Sequence, residues 1–376
     1  MHLSSKILTT LVAALLLLAD WGGEAAACGR KTPADRMRSR LEKVQRDGKT
    51  IFGHDDDTAY GHNWWGFSGR SDVLTVAGDY PGLMNWDLGM IELDSAANLD
   101  GVDFKGMARE IAAQHRRGGV SALSWHPRNP VTGGDSWDTG GGDVVAQILA
   151  PGSEANLRFA AYLDRVADFI ASIRDAKGNR VPVIFRPWHE HTGSWFWWGK
   201  ERTSAENYVK LWEMTRAAFD AKGIDNVLWA YSPDKVTTTE DYMERYPGDR
   251  LVDIFGADIY HLGGEQATPR FFELIKGSMT VARDEALKRG KLWALTETGC
   301  EALEVPDWYN AVLARALDGF RPLYLCVWRN ALQEGSIPYV RKGHYYTPWP
   351  GHPQEKSFVD YCRRPEILLA RDLRNY

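Results

Sequence analysis

What most constrains this chain is a rhythm in its apolar residues. Eight short apolar runs recur, at 50–53, 82–86, 120–125, 181–187, 226–231, 254–260, 291–296 and 322–328, with amphipathic stretches between them. Each run is rich in β-branched, aromatic or Leu residues and is bounded by turn formers, as strands buried on both faces are. Between the runs, apolar residues return at helical spacing. Within 154–177, Leu157, Ala160, Ala161, Leu163, Val166, Ala167, Ile170 and Ile173 mark one face, and within 204–222 Tyr208, Leu211, Trp212, Thr215 and Phe219 do the same. Stretches 104–117, 269–289 and 306–320 read as further helices, and 358–373 as a closing one. Gly118-Gly119, Gly178 and Gly223 stand where helices should stop. Strands alternating with helices call for a parallel sheet, and eight units predict an α/β fold, the closed (β/α)8 TIM barrel. An open doubly wound sheet also alternates, but usually with fewer strands and with a Gly-rich first turn that is missing here. The length of 376 residues allows two domains. Eight units use nearly all of it, so one catalytic domain over 33–376 is expected.

Composition narrows the function. Net charge is −5 and no long block of one sign occurs, which argues against a nucleic-acid partner. Tryptophan is in excess, 16 beside 13 Phe and 15 Tyr. Leu and Val fill a core as well, so the excess points to flat surfaces that stack on a ligand, and the low basicity favours sugar rings over bases. At the start of the chain, Lys6 precedes an apolar run at 7–19, too short for a membrane span, and Ala25-Ala26-Ala27 lead to Cys28. Residues 1–27 therefore read as a signal peptide. Cys28 is then either a lipidated N-terminus, the chain's one expected membrane contact, or the residue after ordinary cleavage near Ala27. The protein is expected outside the cytoplasm: periplasmic, a cell-surface lipoprotein, or secreted, and monomeric. Cys300, Cys326 and Cys362 remain, enough for one disulfide at most.

In a barrel of this kind the site lies at the carboxyl ends of the strands. Those ends read His54-Asp55, Trp86-Asp87, Trp125-His126, His189-Glu190, Tyr231-Ser232, Asp258 with Tyr260, Glu297, and Trp328-Arg329. Glu190 follows the fourth run and Glu297 the seventh, on opposite sides of the mouth. Glycoside hydrolysis needs such a pair, one group to protonate the leaving oxygen and one to attack or to activate water. The segment after Glu190 is dense in aromatic residues, Trp195-Phe196-Trp197-Trp198, which suits a sugar platform. An ion pair with Arg186 is the plain structural reading of Glu190, and Thr296-Glu297-Thr298-Gly299 alone is unspecific.

The segment 186–199, Arg-Pro-Trp-His-Glu-His-Thr-Gly-Ser-Trp-Phe-Trp-Trp-Gly, resembles the acid/base signature of glycoside hydrolase family 26, mostly β-mannanases. Further pieces are similar to that family in the expected order: Phe52-Gly53-His54-Asp55-Asp56, Ser124-Trp125-His126-Pro127, Ala257-Asp258-Ile259-Tyr260, Leu295-Thr296-Glu297-Thr298-Gly299 and Trp328-Arg329-Asn330-Ala331. The resemblance implies a retaining enzyme that cleaves β-1,4-mannosidic bonds in mannan polysaccharide or manno-oligosaccharides without cofactor or metal. Glu190 would be the general acid and then the base, and Glu297 the nucleophile. His126 and His189 would bind sugar hydroxyls or the nucleophile. Tyr260 would steady the nucleophile, with Asp258 supporting nearby among the substrate-binding residues. Trp195 would stack on the sugar at cleavage, and Trp328 with Arg329 would hold the next ring on the non-reducing side. Family members acting on mixed-linkage glucan or β-1,3-xylan, and a non-catalytic sugar-binding lipoprotein, are the alternatives.

Other motifs carry less. His189-Glu190-His191 has Gly193 where a zinc protease helix needs its second His. His54-Asp55-Asp56-Asp57 lacks calcium-loop spacing and reads as a hydrogen-bonded strand end. The Gly-rich stretch 138–143 reads as a mobile loop at the cleft, with Trp137 beside it placed to touch substrate. Trp64-Trp65-Gly66 is either a second platform or loop packing. The segment 333–342, with Tyr345, Tyr346 and Trp349, stands where it can close one end of the cleft, which bears on endo against exo action.

Overall fold

A computed structural model describes residues 31–376; the leader and Cys28 lie outside the described residues. Eight parallel strands form the barrel: β1 (Thr50–Asp55), β2 (Leu83–Asp87), β3 (Val120–Ser124), β4 (Val183–Arg186), β5 (Val227–Tyr231), β6 (Ile254–Tyr260), β7 (Leu292–Gly299) and β8 (Tyr324–Val327). Each pairs with the next, and β8 returns to β1 in the register Ile51↔Tyr324 to His54↔Val327, which closes the sheet. The main outer helices are α2 (Phe104–Arg117), α3 (Glu154–Ser172), α4 (Ala205–Ala221), α5 (Thr268–Lys288) and α6 (Glu355–Cys362). Thr32–Tyr376 forms one unit. Among the described residues no helix is long and apolar enough to cross a membrane.

Successive strand residues point to opposite faces, and burial splits accordingly into two apolar clusters. Ile51, Leu83, Val120, Ala122, Ile184, Leu228, Ala230, Ile254, Leu292 and Ala294 face the barrel interior. Phe52, Met84, Leu123, Phe185, Trp229, Phe255, Trp293 and Leu325 face the helices. The alternation also decides where the tryptophans go. Trp86 and Trp125 lie in the outward phase, wholly buried in the helix layer; Trp188, beyond the end of β4, is carried into the same layer by its positive-φ turn, and Trp197 and Trp198 are buried with them. The excess of Trp is therefore mostly core packing. Among the described residues, Trp65, Trp137 and Trp195 are the tryptophans that rank as exposed.

The interior is plugged from below by a helix with no counterpart among the sequence expectations, α1 (Pro33–Arg46). Its signals are local: Thr32 as N-cap in a capping box with Asp35, Pro33 in the first turn, and Met37, Leu41 and Val44 along one face. That face meets the lowest interior layer of the strands. Ala34 N–H donates to Asp225 O at 3.1 Å, Arg38 pairs with Asp253, and Gln45 Oε1 accepts from Trp293 N–H at 3.1 Å, all in segments entering strands. Two expected helices also differ. Residues 306–320 begin with a π-helical segment, Trp308–Leu313, before one α turn at Ala314–Ala316. The closing stretch is helical only over Glu355–Cys362. Pro365 halts it, and Ile367–Leu368 then adds a short parallel strand beside β1. Cys300, Cys326 and Cys362 are buried and unpaired.

Because Leu41 is fully buried in the plug, Leu41→Ala should cost about 2–5 kcal/mol in urea unfolding. Specific activity per folded molecule should stay unchanged, since the mouth is at the other end.

Candidate active site

The site is assembled by strand phase. Interior-facing positions near the carboxyl ends are Asp55, Asp87, Ser124, His126, Arg186, Ser232, Asp258, Tyr260, Glu297 and Trp328, one or two from each strand or its immediate exit. Glu297 reaches this set through an irregularity. Between Leu295 and Glu297 the pairing with β6 slips, from Ala257↔Leu295 to Asp258↔Glu297, and the pairing with β8 slips over the same segment. Leu295 faces the helices, and strict alternation would turn Glu297 outward too. The extra residue, Thr296, restores Glu297 to the interior, as a bulge does when it re-aims a side chain.

Arg186 is the centre of the polar network. Its Nη1 donates to Asp258 Oδ2 at 2.7 Å and to Ser232 Oγ at 3.0 Å, and its Nη2 donates to Glu297 Oε1. The plainer alternative for Glu190, an ion pair with Arg186, does not form: Arg186 pairs with Asp258 and Glu297. Tyr260 Oη donates to the other oxygen of Glu297 at 2.8 Å, leaving Glu297 with a donor on each oxygen. Asp258 is completely buried, with Thr296 Oγ1 donating to Oδ1 at 2.6 Å. Burial, with Glu297 adding to it, outweighs the guanidinium and pushes Asp258 up to about 7. Expected among the substrate-binding groups, Asp258 instead sits beneath the site and acts through Arg186, because every one of its oxygens is engaged inside the barrel.

Glu190 is delivered differently. After β4 the backbone passes through two non-glycine residues at positive φ, Trp188 at 54° and Glu190 at 51°, conformations that cost about 1–3 kcal/mol each and persist only where the surroundings impose them. Here Tyr208 Oη donates to Trp188 O at 2.8 Å, the Trp188 indole donates to Thr215 Oγ1 at 3.2 Å, and Glu190 N–H donates to Ser232 O at 2.8 Å. The turn holds the Glu190 carboxyl over the mouth, where the Trp195 indole donates to it at 3.0 Å. Burial first, then the charges of Glu297, Asp258 and Asp234, push its pKa well above the ordinary carboxylate range. Glu190, Asp258 and Glu297 each offer an oxygen within 4.8 Å of the others, the one such acidic group among the described residues. Arg186 and Tyr260 already donate to two of the three, so a cation would compete with bound donors.

Around this pair, His126 and His189 meet through their Nε2 atoms at 3.1 Å. Trp137, half exposed, lies parallel to His126 with ring centroids 5.3 Å apart and 10° between planes. Its loop is not loose: Asn129 Nδ2 donates to Asp138 O and Gly140 O at 2.8 and 3.1 Å. The buried Phe196, Trp197 and Trp198 brace the Glu190 loop from behind, the Trp198 indole donating to His189 O at 2.9 Å. A cleft of about 410 Å³ opens beside Glu190 between Trp195, Lys235, Tyr260 and Leu262. On the opposite side, Arg329 pairs with Asp100 and donates to His344 Nε2 at 3.2 Å and Tyr60 Oη at 3.3 Å, beside the half-buried Trp328. Trp65 stacks between Tyr60 and Tyr339 at 5.1 and 4.8 Å, so it serves loop packing. His54 Nδ1 bonds Asp57 at 2.8 Å and Asp55 accepts from Asn85 at 2.5 Å, a hydrogen-bonded strand end. Sequence reasoning did not find Asp100 or Tyr339. Nothing local marks them, since they enter the mouth only when the loops after β2 and β8 fold over it.

An eight-stranded barrel with two opposed carboxyl groups, one proton-holding and one held by donors, is the arrangement that defines barrel glycosidases. Residues 34–296 match the model of glycosyl hydrolase family 26, and the chain belongs to that family. A solved β-mannanase of this family from Bacteroides ovatus is similar with a TM-score of 0.85 and 43% identity, over 90% of this chain and 96% of that one. The modular endo-β-1,4-mannanase of Cellulomonas fimi follows with a TM-score of 0.78 and 30% identity, over 92% of this chain and 78% of that one. A mannan endo-1,4-β-mannosidase of Bifidobacterium adolescentis is 33% identical over 352 residues, 89% of this chain but 34% of the relative. One from Bacillus subtilis is 30% identical over 52% of this chain and 57% of its own length. The chain thus spans between a third and three fifths of these two curated relatives.

Removing the shared guanidinium should leave two buried carboxylates unpaired. Arg186→Met should lose about 3–5 kcal/mol in chemical denaturation, and Arg186→Lys, which keeps the charge but not the fork, should lose less.

Proposed function

We propose that the protein is a β-mannanase, a retaining hydrolase that cleaves β-1,4-mannosidic bonds in mannan, galactomannan or glucomannan and in manno-oligosaccharides. One observation carries the chemistry: Glu190 and Glu297 place oxygens within 4.8 Å of each other across the mouth. That matches the close pair, about 5–5.5 Å, of double displacement, whereas inversion needs about 6.5–9.5 Å to admit a water. The mannan assignment is supported by the named activities of the relatives.

In this reading Glu190 protonates the leaving oxygen as Glu297 attacks the anomeric carbon, and Glu190 then takes a proton from the water that releases the sugar. Tyr260 and Arg186 hold the attacking carboxylate in place, and its loss of charge during attack relaxes both bonds. Trp195 orients Glu190 and offers its exposed face to the sugar, while Trp328 and Arg329 receive the next ring toward the non-reducing end. The leader supports export, with Cys28 as the one proposed lipid anchor and a single chain as the working unit.

Glu297→Ala should abolish turnover while the circular-dichroism melt stays that of a folded protein; activity within about tenfold of wild type would refute the nucleophile. Glu190→Ala should spare an aryl mannoside with a good leaving group far more than mannan. The raised pKa of Glu190 favours its protonated form, so turnover of mannan should fall on the alkaline side as that proton is lost.

The loops after β1, β2 and β8 also support a wall across the non-reducing end of the cleft. Arg329 joins Asp100, and Tyr339, stacked on Trp65, packs so closely on Gly101 that a Cβ there would lie 2.3 Å from its ring. This wall favours release of short products from the chain end. Tyr339→Ala with Asp100→Ala should shift the product profile on linear mannan toward longer oligosaccharides, read by chromatography. An unchanged profile would refute the wall.

A further inference from the structure

Asp87 has no place in double displacement, yet it stands in the interior phase at the end of β2, 97% shielded in its side chain. Its Oδ2 meets His126 Nδ1 at 2.5 Å and accepts from Ser124 Oγ at 3.1 Å, and its Oδ1 accepts from Gly89 N–H at 2.6 Å. Ser124 and Gly89 both donate, so Asp87 is the ionised acceptor of the group. Its pKa is accordingly lowered: burial opposes the charge, but His126 and these donors outweigh it.

The next link is His126 Nε2 to His189 Nε2 at 3.1 Å. Two ring nitrogens at that distance share one proton. His126 already donates from Nδ1 to Asp87. Either it is neutral and accepts from His189, or it carries both protons and donates to His189. The groups facing His126 are Asp87 from β2, Glu297 from β7, Arg186 from β4 and His189 from the loop after β4. Two of these are carboxylates, one is a cation, and His189 is held neutral by burial and by Arg186, its pKa pushed well below the usual imidazole range. Burial works against charge on His126, but Asp87 and then Glu297 outweigh it and raise its pKa. Trp137 lies flat against the same ring, a placement that favours a cation over a neutral imidazole. His189 Nδ1 is buried without a protein partner, so the choice between the two arrangements is made on the Nε2 side alone.

We propose that Asp87 is a positioning residue that keeps His126 doubly protonated and thereby commits His189 to the neutral Nδ1–H tautomer. In the chain Asp87–His126–His189 the positive ring of His126, balanced by Asp87 behind it, faces the nucleophile and supplements Arg186. It also spends both ring protons of His126 on the protein, so His126 acts on the sugar through its charge. The kinetic consequence rests on the glycosidase reading above; the protonation states do not.

Histidine ¹⁵N spectra of the whole, unliganded protein test the states directly, at about pH 6, near the ordinary imidazole pKa. The expected result is His126 protonated on both nitrogens and His189 on Nδ1 alone. A neutral His126 with His189 protonated on Nε2 would overturn the proposal, whatever the protein hydrolyses. The kinetic arm uses kcat/KM on a dinitrophenyl mannobioside, whose leaving group needs no proton from Glu190, so the alkaline limb reports His126. Asp87→Asn should move that limb down by about one to two pH units. A lowered rate with an unmoved limb would mean that Asp87 only props the loop, and the proposal would fail. If Asp87→Asn does not fold, the spectra of the wild type decide.

Discussion

One guanidinium inside a closed barrel organises the rest of the site. Arg186 is 1% exposed and meets Asp258, Ser232 and Glu297 from three neighbouring strands. A buried cation of this kind is tolerable only with its charge matched and its donors used. Two carboxylates share it, and burial first, with the neighbouring negative charge adding to it, raises Asp258 to about 7 and lifts Glu190. The contrast between a carboxyl pushed toward its protonated form and one clasped by donors, which acid–base chemistry requires, thus follows from burial together with several acids around one arginine.

The second constraint is positional. A barrel strand offers its interior only every other residue, and the site needs Glu297 where strict alternation would not put it. The bulge at Thr296 solves this on β7, and the left-handed turn at Trp188 and Glu190 solves it beyond β4. Both depart from regular geometry at the barrel mouth, and both are braced by ordinary packing: Tyr208, Thr215 and the buried Trp197 and Trp198 behind one, Asp258 and Ala257 beside the other. The histidine pair extends the same logic, since Asp87 answers for the charge state of a ring that Glu297 and Arg186 pull in opposite directions.

The barrel was legible because fully buried parallel strands leave continuous apolar runs, and the paired acids because they fall at the ends of runs four and seven. The plug α1 carried clear signals in Thr32, Pro33 and the Met37–Leu41–Val44 face that a search for strand–helix repeats passes over. The tryptophans misled. Their number resembles a sugar platform, but Trp86 and Trp125 sit one residue out of phase with the interior, Trp188 is turned away beyond β4, and all three fill the helix layer instead.

The sequence by itself determined the closed barrel, the family and the two acids, because these depend on periodicity and on short motifs that survive without knowledge of distant contacts. Only the tertiary structure decided that Arg186 serves Glu297 and Asp258, that Asp87 reaches His126, and that Asp100 and Tyr339 meet at the end of the cleft. Each of those depends on side-chain phase or loop meeting across residues far apart in the chain. A strand's period says which face a residue is on, and a bulge or a folded loop changes that face without leaving a mark in composition.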